Sequence, residues 1–312
     1  MGEIIKQDSF ERLGKKRLAI FFLLTALFFG WFHFTIGIRG YHLHLFLIAF
    51  VGYFAHPVTR RFVMGLSVFI IYTVLYETHK VFPNYVYNPV HIAEPLNMEL
   101  SLFGIQTTEG LITPSKYFQL NNHPFLDVIT GLFYLCWMPV PLLFATYLTF
   151  TNRVILFQFS LAFLFVNFIG WIIYYLYPAA APWYVDLYGF TENFKIPGDV
   201  AGLGRFDQFF GITMFSDIYV KASNVFAAIP SMHSAYPMVV LAYGIKNKMG
   251  WVNLFFGIVM VGIWFSAIYT NHHYIIDVLI GIVVAVLGIF LFEKVLLKTR
   301  LKDVIEKWAN SI

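Results

Sequence analysis

The sequence predicts an all-α integral membrane protein, a helical bundle of about eight transmembrane spans. Hydrophobic residues make up 59% of the 312 residues and charged residues only 12%, roughly half the ~25% that is typical of soluble domains. Long apolar runs recur along the chain, and a helix needs about 20 apolar residues to cross a bilayer. Aromatic residues reach 20%, which suits helices whose ends lie among lipid headgroups. These observations exclude a soluble globular protein.

Polar or proline-containing segments separate the candidate spans. The candidates cover residues 18–38, 42–56, 62–78, 126–150, 154–177, 230–246, 251–269 and 274–293. We interpret the first as a retained span and not as a cleaved signal peptide, since no A-x-A-like site follows Gly30. The second and third are short, and Pro57, Arg60 and Arg61 separate them, so a re-entrant pair is the alternative to two full spans.

The distribution of Lys and Arg predicts the orientation. With the N-terminus in the cytoplasm, 15 of the 21 Lys and Arg residues lie in cytoplasmic segments, as the positive-inside rule requires. The outer segments hold the other six, Arg39, Lys80, Lys116, Lys195, Arg205 and Lys221. Cations near the C-terminus would contact anionic lipid headgroups, so the net charge of +4 does not call for a nucleic-acid partner.

Two long outer segments, 79–125 and 178–229, divide the chain. We predict an N-terminal unit, 1–125, with the first spans and an interfacial segment. A catalytic membrane bundle, 126–312, follows and contains the outer loop 178–229. Because connections between spans are usually short, a long polar loop directly before a span is where we expect a site.

The first candidate catalytic segment is Ile229-Pro230-Ser231-Met232-His233-Ser234, at the start of the sixth span. Proline suits a first helical position. Ser231 can supply hydroxyl and backbone donors near a helix N-terminus, which favours anions. His233 is therefore predicted to face a site that attracts phosphate.

The second candidate segment is Asn271-His272-His273-Tyr274-Ile275-Ile276-Asp277, at the start of the eighth span. His273 and Asp277 are four residues apart and share one helix face. A carboxylate bonded to one imidazole nitrogen fixes the tautomer and makes the other nitrogen a better nucleophile. The sixth and eighth spans both begin at the outer edge, so His233 and His273 are predicted to meet there.

Other interpretations fit the residues less well. An isolated interfacial histidine more often has a structural role, which we assign to His272. A carboxylate at the head of a span, such as Asp277, is costly unless it is paired or functional. No H-E-x-x-H or clustered Cys/His spacing indicates a metal site, so no metal or cofactor is expected. A transporter would place polar residues at the midplane of several spans, where Asn167 is the clearest example.

The two segments resemble the motifs of the phosphatidic acid phosphatase type 2 superfamily, P-S-x-H and S-R-x5-H-x3-D. Pro230–His233 matches the first. Ser266–Asp277 matches the second except for Ala267, where the family has Arg. The family's upstream K-x6-R-P motif is missing, since the chain contains no Arg-Pro dipeptide. The resemblance implies a six-helix phosphatase-like catalytic core.

Residues 170–285 are further similar to fungal inositol phosphorylceramide synthases. The similar segments are Tyr177–Tyr184, Leu187–Gly189, Pro197–Gly198, Ala201–Asp207, Phe226–His233 and Thr270–Asp277. This resemblance implies a phosphotransferase that moves a phosphoinositol headgroup from phosphatidylinositol to the hydroxyl of a ceramide-type lipid and releases diacylglycerol. The implied partners are a phospholipid donor, a lipid-alcohol acceptor and the membrane, and the need for an accessory subunit is left open.

In the implied mechanism His273, oriented by Asp277, forms a phosphohistidine, and His233 acts as general acid and base. The alternative is a lipid phosphatase that hydrolyses phosphatidate or a related phospholipid with the same histidine pair. Only Ala267 and the missing Arg-Pro dipeptide separate the two. The site would face the periplasm in a bacterial inner membrane, or the Golgi lumen in a eukaryote.

The candidate substrate-binding residues lie beside this pair in the sequence. Arg205 and Lys221 are expected to replace the two missing phosphate-binding cations, with Ser231 assisting. Asp207 is a candidate to bond the hydroxyls of an inositol headgroup.

Overall fold

A computed structural model describes residues 15–79, 81–220, 224–310 and 312, and it is predominantly helical. The N-terminal helices are α1 (Lys15–Phe34), α2 (Gly40–Ala55), α3 (Pro57–Gly65) and α4 (Ser67–Thr78). The next segment contains a 3₁₀ turn (Asn84–Val86), α5 (Ala93–Phe103), β1 (Ile105–Thr107), β2 (Gly110–Ile112) and α6 (Pro114–Leu120). The remaining α-helices are α7 (Pro124–Leu135), α8 (Pro139–Thr151), α9 (Arg153–Leu176), α10 (Pro182–Tyr188), α11 (Gly204–Phe210), α12 (Met214–Tyr219), α13 (Met232–Lys246), α14 (Val252–Tyr269), α15 (Ile275–Lys294) and α16 (Leu301–Ala309), with 3₁₀ turns at Ala201–Leu203 and Leu296–Lys298.

Several helices begin where the sequence supplies a proline or a capping side chain. Proline lacks the N–H that would be unpaired at a first helical position, and it opens α3, α6, α7, α8 and α10. Thr113 and Asn152 accept hydrogen bonds from backbone N–H groups of α6 and α9, respectively. These residues fix the helix starts locally.

The core of the bundle forms around α9, α13, α14 and α15. Helix α13 packs against α14 and α15, and α9 packs against α13 and α15. Aromatic side chains such as Phe159 and Phe163 fill the interior. Asn167 of α9 accepts a hydrogen bond of 2.9 Å from the Tyr236 hydroxyl. Asn167, the clearest polar residue in the middle of a span, is thus hydrogen-bonded to a neighbouring helix.

Four helical segments are long and apolar enough to cross a membrane. They are Pro124–Thr151, Arg153–Leu176, Val252–Tyr269 and Ile275–Lys298. Helices α3 and α4, bent by 45°, make a fifth if the pair counts as one broken span. Within the described residues the predicted count of eight is therefore not confirmed. Helices α1 and α2 are apolar but short over their described lengths, and α13 has 15 residues with Pro237 inside it.

The two long outer segments join over one end of the bundle. The side-chain amide of Asn84 donates to the carbonyls of Tyr174 and Phe226, both at 2.8 Å. Ala179 forms parallel bridges to both His91 and Ala227. The described residues of segment 79–125 thus pack against the outer loop and cover the ends of α9 and α15. That the segment lies at the membrane interface stays a prediction. The division of the chain at residues 125 and 126 stays a prediction.

Candidate active site

The structure brings the three predicted catalytic side chains together. Nδ1 of His233 lies 3.3 Å from Nε2 of His273. Nδ1 of His273 lies 3.3 Å from Oδ2 of Asp277. His233 comes from the first turn of α13, and the other two flank the start of α15. The result is a chain of polar contacts that runs from a fully buried carboxylate to the imidazole of His233.

This chain selects one tautomer for His273. When Asp277 is ionised it can only accept hydrogen bonds, and in that state Nδ1 of His273 carries the proton and Nε2 keeps its lone pair. Oδ2 of Asp277 also accepts from the backbone N–H of Tyr274 at 2.9 Å, which fixes the carboxylate. In that tautomer the lone pair of His273 points towards Nδ1 of His233.

Burial keeps His273 in its neutral form. It lowers the pKa of His273 to about 4, and a hydrogen bond with the backbone of Ala228 opposes that shift. Burial, together with the neighbouring His273 and His233, lowers the pKa of His272 well below its usual range. A neutral imidazole is the form that can act as a nucleophile.

Helices α13 and α15 approach closely just below the pair. A Cβ atom at Gly281 would lie 2.2 Å from the Ser231 carbonyl oxygen and 2.4 Å from Oγ of Ser234. The backbone N–H of Ser231 donates to the carbonyl of Asp277 at 2.9 Å. The distance between the two catalytic helices is thus set by backbone contact.

Glu99 was missed by sequence reasoning. Its side chain, fully buried, accepts from the backbone N–H groups of Ile275 at 3.0 Å and Ile276 at 3.2 Å. Burial raises the pKa of Glu99 and these two bonds oppose the shift. The carboxylate caps the helix that carries Asp277, although it lies more than 170 residues earlier in the chain. Its local sequence in α5 carries no catalytic motif, so no signal pointed to it.

The histidine pair opens onto a cavity of about 480 Å³, within the ~300–1,000 Å³ of ligand pockets. Its charged lining residues are Arg39 and Glu77, from the N-terminal helices, and Asp199, from the outer loop. The wall is rich in aromatic side chains, Tyr72, Tyr76, Trp137, Trp171, Tyr174, Trp183, Tyr219 and Tyr236. Such a cavity can hold a polar headgroup beside apolar chain.

His272 also lines the cavity but contacts structural partners. Its Nε2 lies 3.1 Å from the Val200 carbonyl oxygen. Its ring lies against those of Tyr134 and Tyr219, with centroids 5.4 Å and 4.4 Å away. These contacts fit the structural role assigned to it.

Ser231 does not line the cavity. It is fully buried. Its hydroxyl has no partner among the described residues, and its backbone N–H is already bonded. Lys221 lies outside the described residues, so its predicted role stays a prediction.

Arg205 and Asp207 lie elsewhere than predicted. Nε of Arg205 pairs with Oδ1 of Asp127 at 2.6 Å, and its NH1 donates to Gln119 at 2.7 Å. Neither Arg205 nor Asp207 lines the cavity. Their predicted roles as phosphate and sugar ligands are not supported, because both side chains are bound by other groups of the protein outside the cavity.

The partners of Asp207 explain its position. Its carboxylate accepts from the backbone N–H groups of Phe215 and Ser216, at 3.1 Å and 2.9 Å, and from the Ser216 hydroxyl at 2.9 Å. Asp207 therefore caps the first turn of α12, and its oxygens are occupied by the protein.

Comparison with known proteins fits this geometry. The sequence model of the PAP2 superfamily matches residues 101–291, well over half of the chain. The chain belongs to the PAP2 superfamily. The match contains His233, His273 and Asp277. The N-terminal helices and Glu99 lie outside it, so the PAP2 match contains the predicted catalytic trio but not all of the residues that line the cavity.

The curated relatives of this PAP2 protein include a bacterial one. The chain is 46% identical over 285 residues, 91% of each chain, to a protein of Bacteroides thetaiotaomicron named phosphoinositol dihydroceramide synthase. Inositol phosphorylceramide synthase of Candida albicans is 27% identical over 87% of this chain and 56% of its own length. Inositol phosphorylceramide synthase catalytic subunit AUR1 of Saccharomyces cerevisiae is 29% identical over 74% and 57%. The chain thus spans little more than half of these two fungal relatives.

No solved structure matches the chain significantly. Apolar helices together with membership of the PAP2 superfamily make it an integral membrane protein.

Proposed function

We propose that this protein is a phosphotransferase that moves phosphoinositol from phosphatidylinositol to the hydroxyl of a ceramide-type lipid, dihydroceramide included, and releases diacylglycerol. The observation that carries the proposal is the contact chain Asp277–His273–His233 at the edge of an aromatic cavity. The named relatives support a phosphotransferase of sphingolipids. The trio alone would serve hydrolysis equally well, so the acceptor has to be tested.

In the first step, Nε2 of His273 attacks the phosphorus of the donor. The bond from phosphorus to the glycerol oxygen breaks, and that oxygen takes a proton from the imidazolium form of His233, which becomes neutral. Diacylglycerol leaves, and the phosphoinositol group stays on His273 as a phosphohistidine. Asp277 stabilises the positive charge that develops on the imidazole.

In the second step, His233 removes the proton of the acceptor hydroxyl. The acceptor oxygen attacks phosphorus, the N–P bond breaks, and His273 returns to its neutral form. Nδ1 of His233 and Nε2 of His273 are 3.3 Å apart, so the phosphate must enter between them. Catalytic contacts commonly rearrange in this way when substrate binds.

The aromatic wall supports a lipid-alcohol acceptor over water. Aromatic rings bury long apolar chains well, and filling the cavity with acceptor lipid would keep water from the phosphohistidine. We further infer that the site lies at the non-cytoplasmic face, from the excess of Lys and Arg in the opposite segments.

The test uses the full chain in liposomes with phosphatidylinositol labelled on its inositol, with and without dihydroceramide. Label should enter a new lipid only when acceptor is present. His273→Ala should abolish this transfer, and His233→Ala should slow it by about 10²–10⁴-fold, the usual worth of general acid–base catalysis. His44→Ala, at an exposed position of α2, is the matched control and should transfer at the normal rate.

Two results would contradict the proposal. Release of water-soluble inositol phosphate regardless of acceptor would make the protein a hydrolase. Full transfer by His273→Ala would exclude the phosphohistidine. A positive sign of the intermediate is label bound covalently to the protein when acceptor is left out, stable in base and lost in acid as for a phosphoramidate.

A further inference from the structure

A phosphodiester needs positive charge around it, and two arginines that the PAP2 motifs would supply are missing. Ala267 occupies the position of the motif arginine, and no Arg-Pro dipeptide occurs. Arg205, the nearest substitute in the sequence, is bound to Asp127 and Gln119. Because charge on the transferred group must be balanced by fixed donors, another cation must face the cavity.

Among the described residues that line the cavity, Arg39 is the one basic side chain of the Lys or Arg type. It lies at the turn between α1 and α2, where its backbone N–H donates to Nδ1 of His42 at 3.0 Å. Its side chain is exposed to the cavity. It belongs to the N-terminal helices, which precede the PAP2 match. The turn is fixed while the guanidinium remains accessible to ligand.

Carboxylates lie around the same cavity. Oε2 of Glu77 accepts a hydrogen bond of 2.8 Å from the Tyr41 hydroxyl, and Tyr41, Glu77 and Asp199 all line the cavity with Arg39. Arg39 is close enough to Tyr41 to interact with its hydroxyl. One guanidinium therefore faces a space that also contains two carboxylates.

This balance of charge defines a class of ligand. A guanidinium forms charge-assisted hydrogen bonds with phosphate oxygens. Carboxylates accept hydrogen bonds from hydroxyl groups but repel a second negative charge. The combination suits a phosphodiester with one negative charge and a neutral, hydroxyl-rich headgroup, and it disfavours a phosphomonoester such as phosphatidate.

We propose that Arg39 binds the phosphate of the donor, and that Glu77, held by Tyr41, selects a donor with an uncharged polyol headgroup. This assignment rests on the proposed function and extends it to the N-terminal helices. The site thereby combines a nucleophile from the PAP2 core with a recognition element from outside it.

Binding can be measured without turnover in the His273→Ala background. Short-chain phosphatidylinositol and short-chain phosphatidate are titrated separately, and the fluorescence of the cavity tryptophans Trp137, Trp171 and Trp183 reports binding. Arg39→Gln should weaken phosphatidylinositol binding about 10- to 100-fold, as expected for loss of a charged hydrogen bond. Arg39→Lys should recover part of the affinity, because it keeps the charge but loses the planar fork.

Glu77→Gln tests the selection. It should narrow the difference in affinity between the two ligands by strengthening phosphatidate binding. Arg61→Gln is the matched control, since Arg61 is not a lining residue, and it should bind both ligands normally. In transfer assays with an intact His273, Arg39→Gln should raise KM for the donor more than it lowers kcat.

Normal donor affinity and a normal KM in Arg39→Gln would overturn the assignment. So would a loss of donor affinity in Lys221→Gln that is not seen in Arg39→Gln. Thermal unfolding of each variant in detergent separates misfolding from lost binding, and Arg39→Lys keeps the test informative if Arg39→Gln does not fold. Donor binding that depends on Arg39 in a protein without transferase activity would refute the proposed function alone.

Discussion

At the scale of single residues, the protonation state of His273 follows from where it lies. Removing an imidazole from water penalises its charged form, and the pKa of His273 accordingly falls to about 4. Above that pH the folded protein keeps the imidazole of His273 neutral, as its proposed role as nucleophile requires. The carboxylate of Asp277 then decides which nitrogen carries the proton.

The pH dependence of kcat/KM should report this shift. It reflects the groups of the free enzyme, and protonation of His273 removes the lone pair that attacks phosphorus. We therefore expect kcat/KM to decrease on acidification with an apparent pKa below 6, closer to the shifted pKa of His273. An unperturbed histidine would give an apparent pKa of ~6.5. The measurement is the rate of transfer at low donor concentration from pH 4 to pH 8. An apparent pKa of 6.5 would contradict it, provided that thermal unfolding shows the protein folded at each pH.

The sequence was sufficient for residues whose partners are close in the chain. His273 and Asp277 are one helical turn apart, and the positions of two predicted helix starts placed His233 beside them. Asp207 and Arg205 have partners 8 to 86 residues away, and those partners determine what the side chains do. An arginine in an outer loop looks the same in sequence whether it faces phosphate or a buried aspartate.

At the scale of elements, α15 depends on a residue from α5. The N-terminal N–H groups of a helix have no partners within the helix, and Glu99 supplies them for Ile275 and Ile276. A negative charge at that end also favours the helix dipole. The positions of Asp277 and His273 therefore depend on the contact between Glu99 and the N-terminus of α15.

Glu99→Ala should therefore destabilise the protein by about 1–2 kcal/mol, the usual cost of a lost helix cap. The measurement is thermal unfolding in detergent. Glu109→Ala, in the exposed tip of the hairpin, is the matched control and should be neutral. Glu99→Gln keeps one acceptor oxygen and should fall between the two. Equal stability of the two alanine variants would show that α15 needs no cap.

The pair of Arg205 and Asp127 should prove structural. Removal of Arg205 leaves a carboxylate that is 7% exposed without its cation, which costs about 3 kcal/mol. Arg205→Met should thus unfold at lower temperature, and the added change Asp127→Leu should restore stability. If Arg205 only holds Asp127, the restored double variant should also transfer normally. A stable but inactive double variant would return Arg205 to the site as a phosphate ligand.

Element lengths explain the uncertain number of spans. The long apolar helices α9, α14 and α15 agree with sequence expectation, since each keeps its hydrophobic run without interruption. The stretch 42–78 breaks at His56 and again at Leu66, because proline and glycine neighbours end the helices early. Helix α13 is short because it starts at the catalytic motif. A hydropathy pattern counts apolar residues and does not register such bends.

At the scale of the whole molecule, the cavity is formed jointly by the PAP2 core, the outer segments and the N-terminal helices. Residues of α4 and α9 line the cavity together with the histidine pair. The polar contacts of Asn84 hold the outer segments against α9. The chain should therefore act as one unit even though the family match covers only part of it.

Orientation in the membrane can be tested with single cysteines. Cys136 is the only cysteine, so Cys136→Ala gives a background without thiols. We expect Lys195→Cys, in the outer loop, to react with an impermeant maleimide added to intact cells. Glu306→Cys, on the exposed face of α16, should react only after lysis. The reverse pattern would place the histidine pair on the cytoplasmic side.

The contact at Gly281 has a consequence for mutational screens. No atom of this glycine touches substrate in the mechanism, yet one added methyl group would collide with backbone between the two catalytic helices. In a library of all single substitutions selected for growth, position 281 should therefore score as intolerant as the histidines themselves. A map of the active site based only on tolerance to substitution would therefore assign Gly281 to the catalytic residues, although it only sets the distance between two helices.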